Sequence, residues 1–423
     1  KRVTIRVMVS DRARRVLRPG ALMMIFIVGG AYVSGQEITQ FAARYGAAGA
    51  VSVVCIAVGF AVLTSFAFEF ARWKETRGYG DYVAALLGER GVAVFDIVFV
   101  LTALYLVGVV TSFAADAAHT ITGLYTTIHL PPVGYGFHLG HVILGTAVVV
   151  LLTLSAASSS GADGPELLER FDEVGSVLVV GVFLLLTVVV FSHPERIDNA
   201  TRAFTGETTS YCATVEGCRQ SLSQVVLDGL VYVGIHIPVY PLIVGSLYDE
   251  TTQRVRLRSR PESVLAGIAA GVLMTTPFAL TYVVQMGFYP NPDVLGVNVP
   301  WFPGLEQTTN LSGVAVYLLV SAWGFLATVS QLTKTVVGRI ENTVEWAADA
   351  TLGRDDDSVV GFGRRTVIRT AVVVVGVVLS RYELPELIRR GYAPLAVLFL
   401  IVFVVPLLVR FLSPHVDRVL PST

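Results

Sequence analysis

The chain has few charged residues, and lysine is the rarest of them, occurring only at Lys1, Lys74 and Lys334. Charged residues make up 15% of the 423 residues, hydrophobic residues make up 53%, and the mean hydropathy is +0.66. A soluble domain carries about 25% charged residues. This shortage of charge excludes an ordinary soluble protein and predicts a polytopic membrane protein that has the lipid bilayer as its main partner.

Several functional motifs are also missing from the sequence. It has no glycine-rich phosphate loop with its lysine, which argues against ATP-driven transport. We find no zinc-ligand spacing and no Ser/His/Asp set, so an enzyme is not expected, and no cofactor is expected beyond a coupling Na⁺. A basic patch with interleaved aromatic residues is absent as well, which argues against nucleic acid as a partner. The stretch from Lys1 to Arg18 has no apolar core, so we expect a cytoplasmic tail rather than a signal peptide.

Cysteine is scarce too, with three residues in the chain. Cys55 lies in an apolar stretch, where a small buried thiol is ordinary. Cys212 and Cys218 share a polar loop that we place outside the cell. A disulfide is allowed there but not required, and a metal pair is less favoured because no histidine or third cysteine lies close by in that loop.

Apolar windows long enough to span a bilayer are, in contrast, abundant. Ten fit the sequence: 20–44, 47–71, 91–122, 138–159, 171–192, 221–247, 263–288, 311–344, 365–381 and 392–412.

The loops between these windows alternate in positive charge. The N-terminal tail and the segments 72–90, 254–260 and 354–369 are basic, whereas 123–137 and 289–307 contain no lysine or arginine. The positive-inside rule then predicts a protein of the cytoplasmic (plasma) membrane with both termini in the cytoplasm. The loop with Arg381, Arg389 and Arg390 disagrees, because this topology places it outside.

The windows divide into two halves of similar length, 20–192 and 221–412, within a single membrane domain that covers 1–423. Five spans per half is an odd number, so the second half enters the membrane from the opposite side and the repeats are inverted. The third window of each half, 91–122 or 311–344, is unusually long, which implies tilt or an extension beyond the bilayer.

The first window of each half is interrupted. Gly29 and Gly30 precede Ser34-Gly35-Gln36-Glu37 in the first, and Gly234-Ile235-His236-Ile237-Pro238 interrupts the sixth. Glycine and proline weaken or stop a helix. In hydrocarbon, the freed backbone groups are tolerated where protein or a water-filled cavity covers them. Paired interrupted helices of this kind indicate a binding site at the membrane midplane.

Glu37 is a costly carboxyl group inside the first interrupted window, which makes it a candidate site residue. It lies in the first turn of a second half-helix, 36–44, whose amino end favours an anionic group. Glu37 itself could receive a substrate ammonium, a proton or a cation. Alternatively, Glu37 caps the half-helix and pairs with Gln40, Arg44 or another helix.

His236 lies in the second break and could titrate, donate to a substrate carboxylate or carry a proton. The alternative is a neutral histidine that bonds a freed carbonyl. Tyr232 and Tyr240 flank the break and could line a cavity or simply pack.

The run from Gly29 to Glu37, Gly-Gly-Ala-Tyr-Val-Ser-Gly-Gln-Glu, together with the following Gln40-Phe41, resembles the first-helix signature of the YkvI-like membrane proteins. These are amino acid permeases of the amino acid–polyamine–organocation superfamily. The resemblance implies an all-α, LeuT-type fold of ten helices in a five-plus-five inverted repeat, with helices 1 and 6 discontinuous around the substrate.

The same resemblance implies sites. In sodium-coupled members of the fold, Na⁺ lies between first-helix carbonyls and eighth-helix hydroxyl groups, and an aromatic residue of the third helix covers the substrate. The expected coupling-ion residues, for Na⁺ or H⁺, are Gly30, Val33, Glu37, Ala327, Thr328 and Ser330. The sodium-coupled pattern has two adjacent hydroxyl residues, whereas here Val329 separates Thr328 from Ser330. The expected substrate-binding residues are Gly29, Gly30, Ser34, Gly35, Gln36, Glu37, Tyr105, Tyr232, Gly234 and His236.

These observations together predict a secondary active transporter for a small zwitterionic solute of the amino acid type, coupled to Na⁺ or H⁺. The rival hypothesis is a non-transporting membrane sensor or scaffold that keeps the fold and a ligand pocket. The sequence leaves the solute, the coupling ion, the direction of transport and the oligomeric state open.

Overall fold

A computed structural model describes residues 11–28, 31–122, 127–130, 135–138, 180–215, 218–249, 254–309, 312–318 and 384–412, with isolated positions between 321 and 382. The α-helices are α1 (Asp11–Val28), α2 (Gln36–Phe41), α3 (Gly49–Lys74), α4 (Tyr79–Leu87), α5 (Glu89–Thr122), α6 (Val180–Phe191), α7 (Pro194–Thr205), α8 (Leu222–Ile235), α9 (Val239–Leu247), α10 (Arg260–Met286), α11 (Pro292–Leu295), α12 (301–309), α13 (312–318), α14 (Leu384–Phe399) and α15 (Val405–Leu412). Short 3₁₀ helices cover Ala31–Ser34, Ala43–Ala48 and Tyr211–Thr214, and a π-helical turn, Leu400–Val404, joins α14 to α15.

Four described helical stretches are long and apolar enough to cross a membrane: Ala43–Lys74, Glu89–Phe113, Arg260–Met286 and Leu384–Phe411. Two further pairs qualify when each bent pair is counted as one span. The pair α6 and α7 bends by 98°, and the pair α8 and α9 bends by 51°. The chain is therefore a multi-pass membrane protein.

Both predicted helix breaks are present. In the first, α1 ends at Val28 and α2 begins at Gln36, directly after Gly35. Gly35 has a φ of +81°, in the left-handed region that glycine adopts at no steric cost. In the second, α8 ends at Ile235 and α9 begins at Val239. Pro238, which has no backbone N–H to donate, directly precedes α9.

Small residues bring the helices of the two halves into close contact. A side-chain carbon on Gly267 of α10 would lie 2.4 Å from the Cα of Ser65 in α3, and one on Gly20 of α1 would lie 2.6 Å from the Cα of Ala270. Glycine and alanine allow backbones to approach in this way in membrane bundles. The helices α1, α3 and α10 therefore form one packed layer.

The structure corrects one helix boundary. The last helix begins at Leu384 rather than at 392, so Arg389 and Arg390 lie in its first turns and not in the external loop in which the sequence analysis placed them. Both side chains are exposed, which is why a hydropathy window does not extend over them. The last span is thus longer at its amino end than predicted.

The described part of the chain is mostly helical, as predicted, and also contains two short antiparallel hairpins. Thr127–Leu130 (β1) pairs antiparallel with Tyr135–His138 (β2), and Tyr248–Asp249 (β3) pairs with Arg254–Val255 (β4). The register pairs Thr127 with His138 in the first hairpin and Tyr248 with Val255 in the second.

Cys212 and Cys218 form a disulfide, which resolves the alternative that the sequence left open. The predicted fourth span, 138–159, and most of the eighth span, 311–344, lie outside the described residues. The ninth span, 365–381, is described only at isolated positions. The count of ten helices and the complete inverted repeat therefore stay predictions.

Candidate functional site

Glu37 lies at the second position of α2, immediately after the left-handed turn at Gly35. Its side chain is buried, with 2% of the residue exposed. The hydroxyl of Tyr392 in α14 donates a hydrogen bond to Glu37 Oε1. Glu37 Oε2 has no hydrogen-bond partner among the described residues. A buried carboxyl oxygen without a partner is costly and marks a place where a proton, a cation or a ligand could bind.

Aromatic rings surround this carboxyl group. The ring of Tyr232 lies 5.5 Å from that of Phe41 and 4.8 Å from that of Phe278, measured between centroids. Phe41 stacks on Tyr392 at 5.9 Å. The buried Tyr232 hydroxyl faces Glu37 and interacts with its carboxyl group, but it makes no hydrogen bond of ordinary length within the described part of the chain. Thus α2, α8 and α14 bring the Glu37 carboxyl group and the Tyr232 hydroxyl together among aromatic rings.

The opposite side of the first break is held by the second half of the chain. Gln285 of α10 donates from Nε2 to the carbonyl oxygen of Gly35 at 2.7 Å. A side-chain carbon at Gly35 would lie 2.9 Å from Cδ1 of Trp301. Gln285 Oε1 and Trp301 Nε1 are buried and find no partner among the described residues. The Gly35 carbonyl in the break is therefore satisfied by protein, as the membrane interior requires.

Gln36 begins a chain of hydrogen bonds along α2. Its side-chain amide donates to the carbonyl of Val297 and, at 3.3 Å, to that of Leu295. Gln40 Nε2 then donates to Gln36 Oε1, and Arg44 donates to Gln40 Oε1, each at 3.2 Å. These side chains form a polar face on the half-helix, and their hydrogen bonds run away from the break.

Arg44 forms an ion pair with Asp228 of α8 rather than with Glu37. The Asp228 carboxylate also accepts from Gln224 Nε2 at 2.9 Å and from the Tyr45 hydroxyl. The two charged side chains are 12% and 10% exposed. This group joins the second half of the first broken helix to the first half of the sixth.

His236 lies in the second break, and its backbone N–H bonds the carbonyl of Val233. This arrangement leaves the Tyr232 carbonyl to accept from His236 Nδ1 at 2.7 Å. Since a carbonyl only accepts, Nδ1 carries the proton. The contact is the freed-carbonyl bond that the sequence offered as one alternative, and it leaves Nε2 available to a ligand.

Other predicted site residues make contacts that are typical of helix packing and helix capping. The hydroxyl of Tyr105 donates to the carbonyl of Leu387, and its ring packs on Gly391. A side-chain carbon on Gly234 would lie 2.8 Å from the Cβ of Ala396, so this glycine sits against α14. Ser34 Oγ accepts from the backbone N–H of Gln36 at 3.0 Å. Their roles in substrate binding stay predictions.

The predicted ion site is described only in part. Gly29, Gly30, Ala327, Thr328 and Ser330 lie outside the described residues, and of Val33 only the backbone is described. Within the described ranges, no three His, Cys, Asp or Glu residues group in a way that could hold a metal ion. Placement of a coupling Na⁺ at these residues is therefore still a prediction.

Sequence reasoning missed Tyr392, Gln285 and Trp301, which contact the break most directly. Tyr392 is 355 positions from Glu37, and Gln285 is 250 positions from Gly35. The one available signal was composition, since Gln285 is a polar side chain within an apolar span. Nothing in the sequence marks Tyr392 apart from its place in the last apolar span.

No protein-family model matches the sequence, and no curated protein matches it. Solved structures, in contrast, do match this chain. A substrate-bound, outward-open Na⁺-coupled sialic acid symporter is 13% identical with a TM-score of 0.53, over 92% of this chain and 81% of that one. A mutant of the manganese transporter of Eremococcus coleocola is 16% identical with a TM-score of 0.55, over 94% and 79%.

A third solved structure is Mhp1, a nucleobase-cation-symport-1 family transporter in a closed conformation with bromovinylhydantoin bound. It is 14% identical with a TM-score of 0.50, over 88% of this chain and 73% of that one. All three neighbours are LeuT-fold transporters. The chain therefore has the LeuT-type fold, as the resemblance of its first helix implies; at these identities the likeness concerns the fold alone.

Proposed function

We propose that this chain is a secondary active transporter of a small zwitterionic solute of the amino acid type, driven by Na⁺ or H⁺. The observation that carries the proposal is the buried carboxyl group of Glu37. It lies at a helix break, with one oxygen unpartnered among the described residues and Tyr232 of the second broken helix facing it. Costly intramembrane carboxyl groups of this kind serve substrate and ion pathways.

The side chains around Glu37 provide complementary chemistry for such a solute. Glu37 offers a carboxyl oxygen to an ammonium group or to a proton, and the Tyr232 hydroxyl and His236 Nε2 lie on the facing segment. The rings of Phe41 and Tyr232 would cover an apolar side chain and attract a cation. Rocking of one helix bundle against the other around this point would alternate access between the two sides.

The fold neighbours are consistent with this proposal. One is a Na⁺-coupled sialic acid symporter, another transports manganese, and the third belongs to the nucleobase-cation-symport-1 family. The substrates of these neighbours differ widely, so the fold supports coupled transport, while the choice of an amino acid rests on the YkvI-like resemblance of the first helix.

The test is uptake of a labelled amino acid mixture into proteoliposomes, with Na⁺ and pH gradients imposed separately. We expect accumulation under one gradient, and we expect Glu37→Gln to abolish accumulation or its dependence on that gradient. The exposed Glu207→Gln variant is the control and should transport normally. Accumulation by Glu37→Gln with unchanged coupling would reduce Glu37 to a structural cap. Ligand-induced thermal stabilisation without accumulation under either gradient would instead support a non-transporting sensor.

A further inference from the structure

A groove lies on the outer surface of the helix bundle, between α3, α10 and the carboxyl end of α15. Its volume is about 290 Å³, and Val62, Phe66, Val264, Ile268 and Phe411 supply most of its apolar lining. The groove is distinct from the candidate site around Glu37, since none of its lining residues contacts Glu37, Tyr232 or Tyr392 in that site.

Close helix packing forms its floor. A side-chain carbon on Gly267 would lie 2.3 Å from Ser65 Oγ, and one on Gly271 would lie 2.6 Å from the backbone nitrogen of Ala61. The small residues draw α3 and α10 together, while Val62 and Ile268 stay half-exposed on either side. An apolar channel open toward lipid results.

The groove is polar at one end. Glu69 and Arg260 line it there, at the carboxyl end of α3 and the amino end of α10. The Glu69 carboxylate is bonded by Arg72 through two hydrogen bonds, of 2.8 and 2.5 Å, which balance its charge. The exposed Arg260 therefore leaves this end of the groove positive.

An arginine run leads into this end of the groove. Arg254, Arg256, Arg258 and Arg260 alternate along the chain up to the first residue of α10. Nearby Glu262 is already engaged, because it accepts from Arg15 and from the backbone N–H of Arg258. The guanidinium groups of Arg258 and Arg260 make no ion pair with any described carboxylate, and both residues are exposed.

We propose that this groove binds an anionic phospholipid of the leaflet on the arginine side. One acyl chain lies in the apolar channel, and the phosphate and headgroup contact Arg258 and Arg260. Clusters of basic residues at the end of a membrane-spanning helix attract anionic lipids, and arginine suits phosphate because its planar fork donates two hydrogen bonds. An apolar channel that ends in uncompensated arginine matches the two parts of such a lipid.

The experiment is native mass spectrometry of the full-length detergent-solubilised protein, titrated with phosphatidylglycerol or with phosphatidylcholine of the same acyl chains. We expect tighter binding of phosphatidylglycerol. Substitution of both arginines, Arg258→Gln with Arg260→Gln, should weaken it about 25-fold, or about fivefold per arginine, with little effect on phosphatidylcholine. Equal affinity for the two lipids, or an unchanged affinity in the double variant, would overturn the proposal.

A second pair of variants tests the channel. Ile268→Trp places a large side chain in the groove, whereas Leu265→Trp on the same helix is a matched control outside the lining, since the two residues are 47% and 44% exposed. We expect Ile268→Trp to weaken phosphatidylglycerol binding several-fold and Leu265→Trp to leave it unchanged. If Ile268→Trp does not fold, Val264→Phe takes its place. Equal binding by the groove-filling variant and the control would assign the lipid to the arginines alone and exclude the channel.

Discussion

At the scale of single residues, the Tyr392 hydroxyl is the donor that holds Glu37 Oε1. We expect Tyr392→Phe to keep the ring packing against Phe41 but to leave the carboxyl group without that hydrogen bond. Coupled uptake should then fall by about 10- to 150-fold, because a hydrogen bond to a charged group contributes about 1.5–3 kcal/mol. Tyr240→Phe is the control, since Tyr240 is equally buried and its hydroxyl makes a long 3.4 Å contact with Thr64. Equal uptake rates in the two variants would show that Tyr392 does not position Glu37.

Gly35 carries a second prediction at this scale. A side chain there meets both a φ of +81° and Trp301 at 2.9 Å. We expect Gly35→Ala to lower the free energy of unfolding by about 1–2 kcal/mol from the backbone conformation alone, with more from displacing Trp301. Denaturant unfolding in mixed micelles measures the loss. Gly80→Ala is the comparison, because nothing lies within 4 Å of its added carbon. A stable Gly35→Ala variant with normal ligand affinity would mean that the break adapts to a side chain.

At the scale of elements, Arg44 and Asp228 tie the 3₁₀ helix Ala43–Ala48, which follows α2, to α8 across the two halves of the chain. Because the pair is nearly buried, we expect Arg44→Gln or Asp228→Asn alone to cost about 3–5 kcal/mol of stability. The double variant should cost clearly less than the sum of the two single losses. A double-mutant cycle by denaturant unfolding gives the coupling free energy. The exposed pair Arg390 and Glu386 is the control and should contribute at most about 1 kcal/mol. Additive losses at Arg44 and Asp228 would show that the two half-helices are not coupled through this pair.

The elements also show which features the sequence can predict. Both helix breaks follow from local chemistry, since Gly35 and Pro238 act on their own backbone whatever surrounds them. The start of α14 does not follow from local chemistry. Leu387 and Ile388 are buried there, but Arg389 and Arg390 are exposed, and a hydropathy window averages over both faces of the helix. Amphipathic helix ends are therefore placed less accurately than apolar spans.

The site shows the same limit at longer range. Glu37 is recognisable as a costly carboxyl group from its own window, but its partner Tyr392 is chosen by the packing of α2 against α14. Likewise, Arg44 forms its ion pair with Asp228, which is 184 positions away, whereas the sequence offered Glu37 as a partner for Arg44. Local patterns identified residues that need a partner, while tertiary packing determined which partner each one found.

At the scale of the whole molecule, charge segregation predicts which end of the bundle faces the cytoplasm. The structure places the disulfide loop near Tyr45, which follows α2, places α11 near Gln36, and places the arginine run near the carboxyl end of α3. The positive-inside rule predicts that the arginine end is cytoplasmic. Exposed Thr209 should then face outside, and exposed Arg77 should face inside.

Cysteine labelling in intact cells tests this orientation. We expect a membrane-impermeant maleimide to label Thr209→Cys in intact cells and Arg77→Cys only after permeabilisation. The parent protein is its own control, because Cys212 and Cys218 are paired and Cys55 is half-buried in a membrane-spanning helix. The reverse pattern would invert the topology and move the arginine-lined groove to the outer leaflet. Labelling of both variants in intact cells would mean that the two positions share a side, which contradicts the placement of α3 as a complete span.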